Sequence, residues 1–191
     1  MLQITPTHIP DVLLIQPKVF KDARGFFLET YNQQAFEAAG LGYLQFVQDN
    51  LSQSQQGTIR GLHFQNPPYA QGKLVSAFQG KVLDVAVDIR KGSPHYGQHV
   101  AVMLDAENPQ FLYIPPGFAH GFQVLSETCL FYYKCTQVYN TAAEGGILWN
   151  EPVLQLPWQL GEIAAIVSQK DSNLPPLSSF KSPFHFLSEK I

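Results

Sequence analysis

Between Lys81 and Arg90 the chain reads KVLDVAVDIR, with Leu83, Val85, Val87 and Ile89 on one parity and Val82, Asp84, Ala86 and Asp88 on the other. A two-residue period of this kind predicts a strand. The runs HVAVML (99–104), QFLYIP (110–115), GFQVLS (121–126) and CLFYYKCTQVY (129–139) read the same way, separated by turn signals such as KGSPHYG, DAENPQ and PPG. Helical periodicity is scarce. Asn32 is placed to cap a short helix through Ala39 that stops at Gly40, and a second short helix is expected within GEIAAIVSQ (161–169). The pattern predicts an all-β fold, an antiparallel sandwich or small barrel in jelly-roll style with a few short helices. Without an internal repeat or linker, residues 1–191 read as a single domain whose Pro/Ser-rich C-terminal extension, about 174–191, is irregular.

Composition narrows the function classes. A chain of 191 residues, 45% hydrophobic, is long enough to bury a substantial core. A net charge of −3 argues against a nucleic-acid or anionic-membrane binder, yet leaves room for a local basic pocket. The N-terminal run VLLI is too short for a signal or a membrane span. Cys129 and Cys135 stand six apart in a strand-like segment, which at about 3.3 Å per residue separates them by roughly 20 Å. A disulfide needs Cα atoms within about 7 Å, so free thiols and a cytoplasmic setting are expected.

Candidate chemistry gathers in IRGLHFQNPPYAQGKL (59–74), where Arg60, His63 and Lys73 lie close together in a chain only 14% charged. A solvated hairpin edge and the floor of an anion-binding pocket both fit. Arg60 and His63 have opposite parity, so a regular strand would aim them at different faces. Gly61 between them allows a bulge that brings both to one side. His120 follows the turn in IPPGFAHGF, a barrel-rim position, whereas His95, His99 and His185 read as surface or structural. Tyr133 and Tyr139 share a parity; packing explains such a pair, and so does a long ligand with one ring near each end. Arg24 and Glu29 lie among aromatics, Gln48 and Asn50 share a face, and Lys170 and Asp171 sit near the end; each singly reads as surface. With no His-x-His and no Cys pair, a metal centre is not expected.

Taken in order, PKVFKDARGFFLETYN, FVQDN, IRGLHFQ, QGKLV, GKVLDVAVDIRKGSP, IPPGFAHGF, EGGILWN and SQKD resemble the motifs of the dTDP-4-dehydrorhamnose 3,5-epimerase family, over most of residues 4–171. The resemblance implies a cupin-type jelly-roll barrel used without metal or cofactor, usually as a homodimer. It implies epimerisation of dTDP-4-dehydro-6-deoxy-D-glucose at C3 and C5 through an enolate. His63 is then the base, Asp171 its carboxylate partner, Tyr133 the acid on the opposite face and Lys73 the cation at the enolate oxygen. Arg24, Gln48, Asn50 and Arg60 are implied for the nucleotide and diphosphate, Tyr139 for stacking on thymine, and Glu29, His120, Glu144 and Lys170 around the ligand.

Three rivals remain at this stage. A C3-only or C5-only epimerase would keep the same His and Tyr. A 3,4-ketoisomerase generally uses paired histidines, which GLHF lacks. A non-catalytic sugar-nucleotide binding barrel has no need of an acid and a base on opposite faces.

Overall fold

The structure, a computed structural model, describes residues 2–187. The last residues of the extension, 188–191, lie outside that range. Among the described residues, thirteen strands and two short α-helices are formed. One sheet has six antiparallel strands in the order β1 (Gln3–Pro6), β2 (Leu13–Gln16), β10 (Phe111–Ile114), β7 (Lys73–Gln79), β12 (Thr128–Cys135) and β5 (Gln48–Gln55). The other has five, in the order β13 (Glu144–Gly146), β6 (Ile59–Gln65), β11 (Phe118–Val124), β8 (Lys81–Asp88) and β9 (His99–Asp105). A separate hairpin pairs β3 (Val19–Asp22) with β4 (Gly25–Leu28). Sequence neighbours repeatedly fall on opposite sheets, which gives the jelly-roll.

The alternation along each strand decides what fills the barrel. Val82 and Ala86 of β8 meet Phe118, Phe122, Phe131, Val75 and Ala77 between the two sheets. Leu83, Val85 and Val87 point the other way, into a second layer with Leu62, Ile147 and Leu154. Phe180 and Phe184 of the C-terminal extension pack on Phe64 in that layer. A third layer backs the six-stranded sheet, where Phe36 of α1 (Gln33–Ala38) joins Ile15, Leu74 and Tyr113. Each fully buried Leu, Val or Phe stabilises by about 1.5–3 kcal/mol, and β8, covered on both faces, contributes most densely.

Two local expectations change. The helix expected within 161–169 does not form. Ile166 instead bridges to Thr58 in parallel, its N–H donating to the Gly57 carbonyl and its own carbonyl accepting from the Ile59 N–H. Extended backbone there satisfies the start of β6, and helix α2 (Gln169–Ser172) begins only after Ser168 caps it. The strand expected through Tyr139 stops at Cys135. Beyond it the chain is held by side-chain amides: Gln71 donates to the Gln137 carbonyl, while Gln48 and Gln65 accept from the N–H groups of Tyr139 and Asn140. Asn32 caps α1 as expected, accepting from the Ala35 N–H, and Cys129 and Cys135 are free and buried.

Candidate active site

β6 departs from regular pairing at the point the chemistry needs. His63 lies opposite His120 of β11, and Arg60 opposite Phe122, three steps on β6 against two on β11. The extra residue is a bulge, and it places Arg60 and His63 on the same, inward side. Gly61 makes the bulge feasible: its φ is +137°, and a Cβ there would meet the Gly121 Cα at 2.6 Å. Both side chains line one cavity of about 510 Å³, as Gly61 foreshadowed.

That cavity opens between the sheets. His63 and His120 enter from the five-stranded sheet, Lys73 and Tyr133 from the six-stranded one, over a floor of Phe122 and Phe131. Its rim is Ile166, Val167 and Ser168 together with Lys170 and Asp171. A second hollow of about 240 Å³ shares His63, Lys73 and Tyr133 with the first and extends past Gln48 and Asn50 to Tyr139 and Glu144. Across the bulged strand, then, a titratable ring faces a phenol supplied by the opposite sheet.

His63 is tightly held. Its Nε2 lies 2.7 Å from Asp171 Oδ1, while Asp171 Oδ2 accepts from the Gly61 N–H at 3.2 Å. With Nε2–H donating to the carboxylate, Nδ1 is the nitrogen free to take a proton. Asp171 is buried. Burial alone would raise its pKa, but the His63 bond, with smaller help from the Gly61 N–H and Ser168, brings it below the usual 3.8.

The opposite wall is tuned by desolvation. Burial pulls the Lys73 ammonium below its ordinary 10.5, against the attraction of Cys135, Asp84 and Glu144. Burial, and after it the Cys135 thiol, push the Tyr133 phenol above 10.0, with Arg60 pulling the other way. The Lys73 Nζ stands 6.0 Å from the centre of the Tyr133 ring. At the mouth, Lys170 pairs with Glu144 at 2.5 Å. Arg60 is steadied by Ser54 Oγ, which accepts from its Nε at 3.1 Å. Gln48 donates to Asn50 Oδ1 at 2.9 Å.

Of the residues singled out from the sequence, eleven line these two hollows. Arg24 and Glu29 line neither. Arg24 sits at the tip of the β3–β4 hairpin, paired with Asp22, and Glu29 accepts from Asn32 beside α1. Sequence reasoning passed over Ser168 and Asp84. Ser168 was readable as the cap in S-x-x-D, three residues before Asp171. Asp84 is the one acid between Val82 and Ala86 on the inward parity of β8. Among the described residues no cluster of His, Cys, Asp and Glu is arranged to hold a metal ion, and no helix is long and apolar enough to cross a membrane.

Comparison with known proteins places this geometry. The family model described as dTDP-4-dehydrorhamnose 3,5-epimerase matches residues 6–179. The chain belongs to the dTDP-4-dehydrorhamnose 3,5-epimerase family. The Salmonella typhimurium enzyme of that name is 51% identical over 177 residues, covering 93% of this chain and 96% of the relative. The Pseudomonas aeruginosa enzyme is 52% identical over 170 residues, covering 89% and 93%. Among solved structures, a dTDP-6-deoxy-D-glucose-3,5-epimerase from Legionella pneumophila in complex with dTDP-4-keto-L-rhamnose superposes with a TM-score of 0.93. It is 43% identical and covers 98% of this chain and 100% of that one. The epimerase fold is therefore a cupin-type barrel, and the whole of the bulged strand, the opposed tyrosine and the closing α2 lie within the matched span.

Proposed function

We propose that this chain epimerises dTDP-4-dehydro-6-deoxy-D-glucose at C3 and C5, giving dTDP-4-dehydro-L-rhamnose. The observation that carries the reading is the opposition of His63, braced by Asp171, to Tyr133 on the facing sheet. The C4 carbonyl acidifies the hydrogens on both neighbouring carbons. His63 Nδ1 removes one of them, and the electron pair moves into an enolate whose oxygen meets the Lys73 ammonium, a cation fixed in place before the charge develops. Asp171 stabilises the imidazolium and holds its tautomer. Tyr133 then gives its proton to the carbon from the other face, inverting the centre. The phenolate left behind lies within the field of Arg60 and regains its proton from solvent, as His63 loses its own. The same cycle serves the second carbon.

The second hollow suits the nucleotide end of the ligand. Tyr139 is half exposed there and offers a stacking face, with Gln48, Asn50 and Glu144 as its polar walls; Arg60 and Lys170 supply positive charge for the diphosphate. The active unit is a homodimer. Phe20, Phe26 and Phe27 are 49%, 62% and 66% exposed on a hairpin that pairs with neither sheet, and an isolated two-stranded hairpin is marginal in water. A partner covering these rings would carry Arg24 and Glu29 toward a ligand they do not reach in their own chain. Two free buried thiols suit a reducing cytoplasm.

Incubation with the substrate in D₂O, followed by mass spectrometry and NMR, tests the reaction. Deuterium at both C3 and C5, absent with His63→Ala, is expected. Tyr133→Phe should still exchange hydrogen through His63 but lose inversion by about a hundredfold or more. Label at a single carbon would replace the reading with a one-centre epimerase, and no label above background would replace it with a binding barrel.

A further inference from the structure

Tyr139 lies beyond the end of β12, yet its backbone is bracketed like that of a strand residue. Its own N–H donates to Gln48 Oε1 at 2.8 Å. The two groups on either side of it both go to one side chain, Gln65 at the end of β6. Gln65 Nε2 donates to the Val138 carbonyl at 3.2 Å, and Gln65 Oε1 accepts from the Asn140 N–H at 2.7 Å. A neighbouring strand bonds an extended chain in this way, taking the carbonyl before a residue and the N–H after it while that residue's own N–H points to the other side. Here two glutamine side chains stand in for the two strands, and Asn140 is itself extended, at φ −134° and ψ 112°.

Gln65 also ties in the turn that follows β6. Its second amide hydrogen goes to the Tyr69 carbonyl at 2.7 Å, and the Tyr69 N–H closes that turn on the Asn66 carbonyl. Gln65 is 4% exposed. It lines the second hollow, but both of its N–H donors are bonded to carbonyls, so none is left for a ligand. Its effect on a ligand therefore runs through Tyr139, whose ring is half exposed at the same hollow. A base stacking on a loose tyrosine would have to order the segment that carries it, at a cost in affinity that a fixed segment avoids. We propose that Gln65 is a positioning residue for nucleotide binding: it holds residues 138–140 extended before the ligand arrives, with the Tyr139 ring already set to stack. The inference rests on the stacking role given to Tyr139 above.

Gln65→Met keeps the length of the side chain and removes the amide. KM for the substrate and the inhibition constant of dTDP should both rise about tenfold, with kcat changed less than about twofold, the signature of lost uniform binding. The deciding measurement repeats the change on a Tyr139→Ala background. With the ring gone the amide has nothing to position, and the dTDP constant should move less than about twofold further. An unchanged constant in the single variant, the same factor on both backgrounds, or a kcat that falls more than KM rises would overturn the proposal. Should Gln65→Met fail to fold, amide hydrogen exchange of the parent enzyme without ligand gives the answer. The N–H groups of Tyr139 and Asn140 should exchange at least about tenfold more slowly than in a free chain, and free-chain rates would overturn the idea. Failure of the underlying reading looks different: Tyr139→Ala binding dTDP as tightly as the parent would withdraw the stacking, while the Asn140 N–H of the parent stayed protected.

Discussion

Lys134 and Asp49 are register partners on β12 and β5, and their charged groups meet at 2.6 Å on the outer side of the sheet. Tyr133 precedes the lysine, and Gln48 and Asn50 flank the acid, all three turned inward. A one-residue slip of β5 would turn Gln48 and Asn50 out of the hollow and bring Asp49 in. The outer pair therefore guards the inner register, and it is reinforced by the Tyr31 ring 5.0 Å from the lysine Nζ. Lys134→Met should cost about 1–2 kcal/mol, a fall in Tm of roughly 2–4 °C per kcal/mol for a chain of this size. It should raise KM more than it lowers kcat, since the register it guards aims into the hollow the residues proposed to hold the ligand. Thermal melts and steady-state kinetics check both, and an unchanged KM would reduce the pair to a stabilising contact.

Asp171→Asn should lower kcat by about 10²–10⁴ with little change in KM, because the imidazolium loses its counter-charge and the tautomer its anchor. Stability supplies a second signature. The folded pKa of Asp171 lies below the ordinary 3.8. Its charge contribution is therefore complete above the unfolded value and is lost as pH falls through the lower, folded one. Denaturant midpoints of parent and variant should differ by a constant amount near neutrality and converge only below 3.8. A gap that closed already near pH 6 would assign the coupling to another group.

Much of this site was legible in the chain because its logic is local. Parity placed Gln48 with Asn50, and Gly61 between Arg60 and His63 marked the one place where a bulge could align two residues of opposite parity. The cap that fixes Asp171 is equally local, as S-x-x-D, although it went unread. Other features depend on partners that only the closed barrel supplies. Asp84 reads as the polar face of an ordinary strand until β11 brings His120 to it. Ile166 lies in an apolar run that suits a helix, and only the unpaired start of β6 converts it to extended backbone. Tyr139 shares a parity with Tyr133, but the amides of Gln48, Gln65 and Gln71 capture the chain after Cys135.

The proposed sharing of the hairpin makes a mixing experiment decisive. Arg24→Ala and His63→Ala should each be impaired as separate dimers, the second almost completely. If Arg24 serves the partner's cavity, subunit exchange between the two variants creates dimers in which one site carries both lesions and the other carries neither. Mixed preparations should then regain up to about a quarter of the parent activity, the statistical share of intact sites under random exchange of equal amounts. Recovery no greater than the sum of the separate variants, with exchange confirmed by native mass spectrometry, would return Arg24 to its own chain. Light scattering should give a dimer, and Phe26→Asp with Phe27→Asp should weaken it.

Gly61 and Gly92 both adopt left-handed backbone, at φ +137° and +79°, but only one of them is crowded. A Cβ at Gly92 would meet nothing within 4 Å, whereas at Gly61 it would strike the Gly121 Cα at 2.6 Å and the His120 carbonyl oxygen at 3.0 Å. Gly92→Ala should cost about 1 kcal/mol, the ordinary penalty of that conformation for an L-residue. Gly61→Ala must also push β6 away from β11, and should cost about 2–4 kcal/mol. Any folded Gly61→Ala protein relieves the clash by moving the bulge, so Arg60 and His63 no longer share a face, and activity should fall by about a hundredfold or more. Equal stability losses in the two variants would show that strain alone accounts for Gly61. A stable Gly61→Ala enzyme of normal rate would show that the bulge does not align the arginine with the base.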